Sequence, residues 1–538
     1  MPGDNGMFLE KAARAVAEVQ PHVSTVADAL VFLEVLGYTD RIARQNGCKD
    51  MFDLASKVHS ITGHYDVEPE NTLYSVFGTP IPSLAKRTAE AFSIGFPSMI
   101  SWTVLIVFGV SLWLAGGLPL SVTTAFLIGV FVALAVTGAL RSFGRLFGYY
   151  DGQGNLFEMK RVLRRYYGLL GFSLVLMTLA AFSVIILENI PLALAMIFSF
   201  STITLSLQLA AYMVIYSRKE IRQVFVSYVT ASAVLILIYY LSADFVSSLT
   251  IRYFFALSSA FIVLIVPAIY YHHTLFRTKS ESASLENGIP SFYVRQSVVT
   301  STIPSRFEIQ LWEILPFGIY GVFFIGMLFG DRIISWIYNP VHLIDGVMLP
   351  VVFNATYDIG ADLALLVLFP SMLIQYVILS PVYDQIYNLS LNRKVSQMNE
   401  ADEFLSNRYR KMLGATLLAS TFSALLMILL LPYIVPALNT SSSSLEIFYV
   451  ASVSNILMSV FGGNALFLMF INKIKPLAAI AIVGTILVMG GGVVLAQNGF
   501  QNIVFAYLGE SIFAVITTSI LLRRNLGKAV SIHFARYV

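Results

Sequence analysis

From Ala91 to the C-terminus the chain alternates long apolar runs with short polar connections. Each run holds about the 20 residues that a helix needs to cross roughly 30 Å of hydrocarbon. Twelve are read: residues 92–117, 119–140, 167–187, 190–216, 224–241 and 251–271, then 311–338, 358–379, 412–438, 448–471, 476–497 and 500–522. Their apolar residues are continuous rather than alternating, which predicts helices and argues against a barrel, because every backbone amide in the bilayer must be paired internally. The stretch before them differs. Residues 1–88 hold no long apolar run and mix eight cations, Lys11, Arg14, Arg41, Arg44, Lys49, Lys57, Lys86 and Arg87, with many acids. Residues 26–36 and 51–61 space their apolar positions at three and four, the mark of short amphipathic helices. The start lacks the basic and apolar regions of a secretory signal, so this extension is expected on the cytoplasmic side.

Charge then orients the runs. Alternate connections hold Arg141, Arg145, Lys160, Arg161, Arg164 and Arg165; Arg218, Lys219 and Arg222; Arg277, Lys279, Arg295 and Arg306; Arg393, Lys394, Arg408, Arg410 and Lys411; Lys473 and Lys475; and Arg523, Arg524, Lys528 and Arg536. Connections on the other face, at 116–119, 188–189, 439–444 and 498–499, hold none, and only Arg252 and Arg332 fall near it. This positive-inside pattern predicts an even number of spans with both termini cytoplasmic.

The expected fold class is therefore an all-α polytopic membrane protein of about 12 transmembrane helices. Its expected parts are a helical cytoplasmic extension (1–88), a first six-helix lobe (89–272), a cytoplasmic linker (273–310) and a second six-helix lobe with a basic tail (311–538). The Ser-rich, acidic stretch 280–290 of the linker is expected to lack a packed core. Six helices return the chain to its starting side, so the halves share one orientation, the plan of parallel-repeat transporters with a substrate route between the halves. The repeat is read from topology, not from residue identity. Composition agrees: 57% of the residues are hydrophobic and 12% charged, against about 45–50% and 25% in soluble chains. The single cysteine, Cys48, excludes a disulfide framework, and a metal site is not expected around it. Without a Walker pattern the chain does not drive transport by its own ATP hydrolysis. Without His-Glu-x-x-His or a nucleophile elbow, no catalytic residues or cofactor are expected, and the reading is not an enzyme.

Charge at membrane depth costs at least about 2.5–3.5 kcal/mol, so the few such residues are the candidates for chemistry. Glu510 sits midway along the last run between Gly509 and Ser511. It is expected to face a water-filled cavity or a partner, either lining the transport route or bonding a neighbouring helix. Asp331 and Arg332 lie toward the outer end of the seventh run with Trp336, Tyr338 and Pro340, and read either as a self-neutralising interfacial pair or as part of the route. Glu313 and Asp362 stand nearer run ends, where snorkelling to water accounts for them. Asn455 and Asn464, with Gly462 and Gly463, read as close packing with interhelical hydrogen bonds. Lys160, Arg161, Arg164 and Arg165 form the cationic start of the third span, after Tyr149, Tyr150 and a turn signal at Asp151-Gly152-Gln153-Gly154. They read either as anchors to anionic lipid or as a docking surface for a cytoplasmic partner.

Several blocks then carry a family likeness. They are Ser93-Ile94-Gly95-Phe96-Pro97; Val136-Thr137-Gly138-Ala139-Leu140 with the Arg- and Tyr-rich loop after it; Tyr320-Gly321 through Gly330-Asp331-Arg332 to Trp336; Tyr357-Asp358, Pro370 and Tyr383-Asp384; and the basic tail 521–534. Together, over residues 91–538, the sequence resembles the PelG-like inner-membrane subunits of Pel exopolysaccharide export, a branch of the multidrug/oligosaccharidyl-lipid/polysaccharide (MOP) flippase superfamily. In that family the base after the acid is usually Lys, and the N-terminal extension and long linker depart from its pattern. The resemblance implies two lobes around a central cavity in the cytoplasmic (inner) membrane. It also implies passage of an exopolysaccharide or lipid-linked glycan, with a cytoplasmic glycosyltransferase and other synthesis subunits as partners and no nucleic acid. Asp331 and Arg332 are the positions it carries over. Two alternatives stay open: an ion-coupled small-molecule exporter of the same superfamily, with Glu510 as the coupling carboxylate, and a membrane glycosyltransferase, which the short outer loops disfavour.

Overall fold

The computed structural model describes residues 4–19, 25–36, 38–62, 83–113, 116–152, 156–188, 190–218, 220–285, 307–344, 347–382, 398–438 and 441–528. It separates into two compact units, one built on Met1–Ser83 and the other carrying the membrane-length helices from Leu84 onward.

The first unit holds four helices, α1 (Asp4–Val19), α2 (Val26–Val35), α3 (Asp40–Gln45) and α4 (Met51–Thr62). Thr25 starts α2 with a capping box, its hydroxyl accepting from Asp28 N–H while the Asp28 carboxylate accepts from Thr25 N–H, which satisfies two orphan donors at once. Thr39 caps α3 in the simpler way. The apolar positions at helical spacing close on one another: Ala12, Val16, Ala29, Leu33, Leu54 and Val58 are fully buried together. Cys48 is buried at the edge of this cluster with the Lys57 ammonium 3.9 Å from its sulfur, and burial pushes its thiol above the usual range.

In the second unit the chain forms α5 (Leu84–Phe108), α6 (Leu120–Leu140), α7 (Ser142–Gly152), α8 (Leu156–Glu188), α9 (Leu192–Ser217), α10 (Ile221–Leu241) and α11 (Leu249–Leu285), then α12 (Phe307–Ile337), α13 (Ala355–Leu365), α14 (Leu368–Leu379), α15 (Met398–Leu438), α16 (Ser442–Phe470), α17 (Ile474–Ala496) and α18 (Ile503–Asn525). Eleven helices among the described residues are long and apolar enough to cross a membrane, with α13 and α14 counted as one. The first predicted run is carried by α5. A two-residue antiparallel hairpin, Leu343–Ile344 against Val347–Met348, lies between α12 and α13.

Several boundaries differ from the sequence reading. The first run ends at Phe108 rather than at 117, because Gly109 takes φ +67 and the chain folds back, Gly116 N–H donating to Gly109 O at 2.8 Å. The eighth run is broken between α13 and α14. Pro370 has no N–H to give to Leu366 O and its ring crowds that carbonyl, so the backbone tightens there, Val367 N–H bonding Ala364 O and Phe369 N–H bonding Leu366 O. Helix α8 starts eleven residues before the predicted span and α11 runs to Leu285, into the stretch read as linker. Gln153 and Gly154 of the predicted turn, the rest of the linker (286–306), Tyr383-Asp384 and the tail beyond 528 lie outside the described residues.

The two halves pack alike. Numbering the spans of each lobe one to six, the extensive helix contacts shared by both are one with five, two with four, three with four, four with six and five with six. This is the repeat that residue identity did not reveal. The lobes meet at two seams related by the same symmetry, α6 against α12 and α5 against α14. In the first seam Gly138 and Gly321 touch backbone to backbone: a Cβ on Gly138 would stand 2.9 Å from Gly321 O, and one on Gly318 would stand 2.7 Å from Ala139 O. Farther along, Phe131 stacks on Trp336 at 5.2 Å, and near the cation-poor end Phe353 N–H donates to Thr124 Oγ1 at 2.9 Å. In the second seam Arg87 Nη1 donates to Val377 O at 3.2 Å and the Tyr376 hydroxyl to Glu90 Oε2 at 3.4 Å.

Candidate functional site

Ionisable side chains at membrane depth gather in the second lobe. Asp331 and Arg332 stand on α12, Asp358 and Asp362 on α13, and Glu510 on α18. Asp331, Arg332, Asp358 and Glu510 are each at most 5% exposed. The Arg332 guanidinium pairs with the Asp362 carboxylate and lies over the Phe329 ring, its Cζ 5.0 Å from the centroid. Asp331 Oδ2 accepts from the Tyr357 hydroxyl at 2.7 Å, and Asp358 Oδ2 accepts from the Trp336 indole N–H. Asn354 holds α13 in register by accepting from Tyr357 N–H at its first turn. Tyr507, one turn before Glu510, donates to Asn455 Oδ1 of α16 at 2.7 Å.

Three carboxyl groups, Asp331, Asp358 and Asp362, therefore surround one guanidinium, and Glu510 lies near Asp331. Neither oxygen of Glu510 accepts a hydrogen bond from the protein, and neither does Asp331 Oδ1. The neighbouring Ser511 hydroxyl is committed to Tyr507 O. Glu510 and Asp331 are close enough to feel each other's charge. A Cβ on Gly484 would stand 3.1 Å from Glu510 Oε1 and 3.0 Å from Met327 Cε, so the missing side chain makes room for the carboxylate between α12 and α17. A buried carboxylate without donors is costly. Among the described residues no group of three or more His, Cys, Asp or Glu side chains is arranged to hold a metal ion.

Two sequence readings change here. Asp331 and Arg332 are not an interfacial pair neutralising itself: successive residues on a helix point about 100° apart, so each finds its partner on α13. Asp362 does not snorkel free of the protein but takes the guanidinium. Asp358, Tyr357, Asp362 and Tyr507 were not singled out as site residues. A signal was present, since Asp358 and Asp362 are four apart and share a helix face inside an apolar run. Asn464 behaves as its setting predicts, donating to Thr518 Oγ1 and Ser519 Oγ and accepting from the Tyr409 hydroxyl.

The cationic start of α8 divides into two pairs. Arg161 bonds Glu158 at 3.4 Å, and Arg165 Nη1 donates to Gln310 Oε1 at 2.6 Å while Gln310 Nε2 donates to the Tyr150 hydroxyl, which ties α7, α8 and α12 together. Lys160 and Arg164 are exposed. The first lobe carries no charge in its membrane-depth stretches. Its small cavity is lined by Trp113, Phe126, Ser201, Thr204, Gln208 and Phe261.

The architecture is shared with solved transporters. The chain superposes on the MATE transporter ClbM in complex with Rb+ (TM-score 0.53, 13% identity, 84% of this chain and 97% of that one). It also superposes on a multidrug resistance MATE family transporter of the MOP superfamily in an outward-facing conformation (TM-score 0.57, 12% identity, 82% and 96%) and on a MATE in complex with MaL6 (TM-score 0.54, 14% identity, 83% and 97%). Two like-packed halves in this fold define an all-α polytopic membrane protein of MATE-like architecture. No curated protein matches by sequence. The family model of the PelG exopolysaccharide exporters (EPS-E) matches residues 155–534, more than half of the chain, and the protein belongs to that family. Family and structural neighbours are transporters, not enzymes.

Proposed function

We propose that this transporter moves an exopolysaccharide or a lipid-linked glycan across the cytoplasmic membrane, along a route between its two lobes. The glycan comes from a glycosyltransferase on the cytoplasmic side, where the cation-rich connections and both termini lie by the positive-inside rule. Membership of the PelG exporter family carries this reading. A clean deletion strain tests it: extracellular polymer should vanish while resistance to small toxic molecules stays unchanged. Normal polymer secretion from that strain would eliminate the proposal.

The donor-free oxygens of Glu510 favour a further element, coupling of transport to a proton or a monovalent cation. Binding and release of a cation at Glu510 and Asp331 would change the charge inside the second lobe, beside the α6–α12 seam. The same coupling serves the alternative cargo, a small molecule. Glu510→Gln keeps the shape and removes the charge, so it should stop transport with folded yield unchanged. Full activity in that variant would reject the coupling role.

A further inference from the structure

An aromatic residue of the first lobe meets side chains that are themselves in contact with the charge cluster of the second. Phe131 of α6 has its ring centroid 5.0 Å from that of Phe329 and 5.2 Å from that of Trp336. Those two stand seven residues apart on α12, about 11 Å along its axis, which leaves room for one ring between them. Both are also the rings that touch charge: the Arg332 guanidinium lies over Phe329, and the Trp336 indole N–H donates to Asp358. Trp336 is fully buried, with Phe353 edge-on at 5.7 Å. Its carbonyl accepts from Val352 N–H at 3.1 Å, and Asn339 Nδ2 donates to the carbonyls of Val352 and Phe353, so the segment entering α13 is tied to the same turn. The other contacts described at this seam are of a different kind. Gly138 and Gly318 approach backbone, and Thr124 Oγ1 accepts from a backbone N–H. Contacts to backbone hold two helices at one distance whatever the charge nearby, whereas the pull on the Phe329 and Trp336 rings depends on it. Asp358 stands within electrostatic reach of Asp331, Arg332 and Asp362, and Asp331 within reach of Glu510. A cation that neutralises Glu510 and Asp331 leaves the guanidinium to Asp358 and Asp362, which alters both the hydrogen bond that Trp336 gives and the cation–π contact that Phe329 receives.

We propose, on the coupling role given above to Glu510 and Asp331, that Phe131 is the residue through which the first lobe reads the charge of the second. The cluster acts on Phe131 through Trp336 and Phe329, and Phe131 carries the change to α6. Coupling of this kind travels through packed and hydrogen-bonded side chains, and the chain from Asp358 through Trp336 to Phe131 is continuous. Full-length protein in lipid nanodiscs tests it, with Cys48→Ala and spin labels on cysteines introduced by Ser121→Cys at the start of α6 and Ala355→Cys at the start of α13. Electron–electron resonance then gives the label distance across the seam, and Glu510→Gln supplies the neutralised cluster. In this parent, Glu510→Gln should move the mean distance by on the order of 2 Å, the scale of helix shifts at interfaces. Phe131→Leu should abolish that response. Trp336→Phe keeps a ring on Phe131 but removes the N–H given to Asp358, and should shrink it. Phe126→Leu removes a ring packed inside the first lobe against Tyr253 and Phe254, so it should lower the unfolding midpoint and leave the response intact. A response that survives Phe131→Leu, stays whole in Trp336→Phe or is lost in Phe126→Leu would overturn the inference and leave the coupling role standing. No response in the parent would overturn it as well, and transport by Glu510→Gln judges the coupling role separately.

Discussion

The two lobes share one packing plan and differ in what they bury. In the first, the polar contacts between helices inside the apolar runs are neutral: Gln208 Nε2 donates to the Tyr228 hydroxyl at 2.8 Å, Tyr212 to Leu264 O, Tyr253 to Ser111 O and Thr202 to Gly129 O. In the second, three carboxyl groups and one guanidinium are buried with a fourth, half-buried carboxylate on Asp362, and three of the buried carboxyl oxygens take no donor from the protein. Neutral hydrogen bonds between membrane helices hold a bundle in one arrangement, whereas a charge imbalance makes the arrangement answer to whatever neutralises it. On the proposed coupling role, the difference gives scaffolding to the first lobe and responsiveness to the second.

The comparison can be broken at its hinge. Gly321→Val sets two methyl groups against the backbone of α6 in the seam, and the expected result is loss of folded, monodisperse protein on size exclusion; a folded variant with normal activity would show that the lobes do not need this contact. Next in size, Arg332→Met leaves Asp362 without its cation and should cost on the order of 3 kcal/mol, seen as a lowered unfolding midpoint; adding Asp362→Asn should return part of the loss. Gly484→Val fills the space against the Glu510 carboxylate and should reduce transport more than stability, which paired transport and unfolding measurements separate. The smallest effects sharpen the contrast directly. Tyr507→Phe and Gln208→Leu each remove one interhelical hydrogen bond worth about 1 kcal/mol. Transport should fall for Tyr507→Phe, beside Glu510, and hold for Gln208→Leu; equal losses would erase the distinction between the lobes.

Much of the fold was legible because crossing a membrane imposes a length and a continuous apolar composition on each helix, and alternate connections carry the cations. The errors sit where one residue overrides the pattern. Gly109 ends α5 early, and Pro370 divides the eighth span, which the apolar run alone could not show. Candidate residues were found by the same logic of cost, since Glu510, Asp331 and Arg332 stand out in apolar runs whatever surrounds them.

Their partners were not found, and the physical reason is that partnership depends on azimuth and neighbour. Whether Arg332 pairs with Asp362, and whether Arg164 is exposed while Arg165 meets Gln310, turns on which way each helix is rotated. That rotation is set by side chains on its opposite face, in contact with helices distant in sequence. The sequence by itself determined that this chain is an all-α polytopic membrane protein and which residues are too costly to be incidental. Only the tertiary structure decided that the halves repeat one packing pattern, that glycines seal the seam, and that the charged residues inside the apolar runs of the second half form a connected cluster.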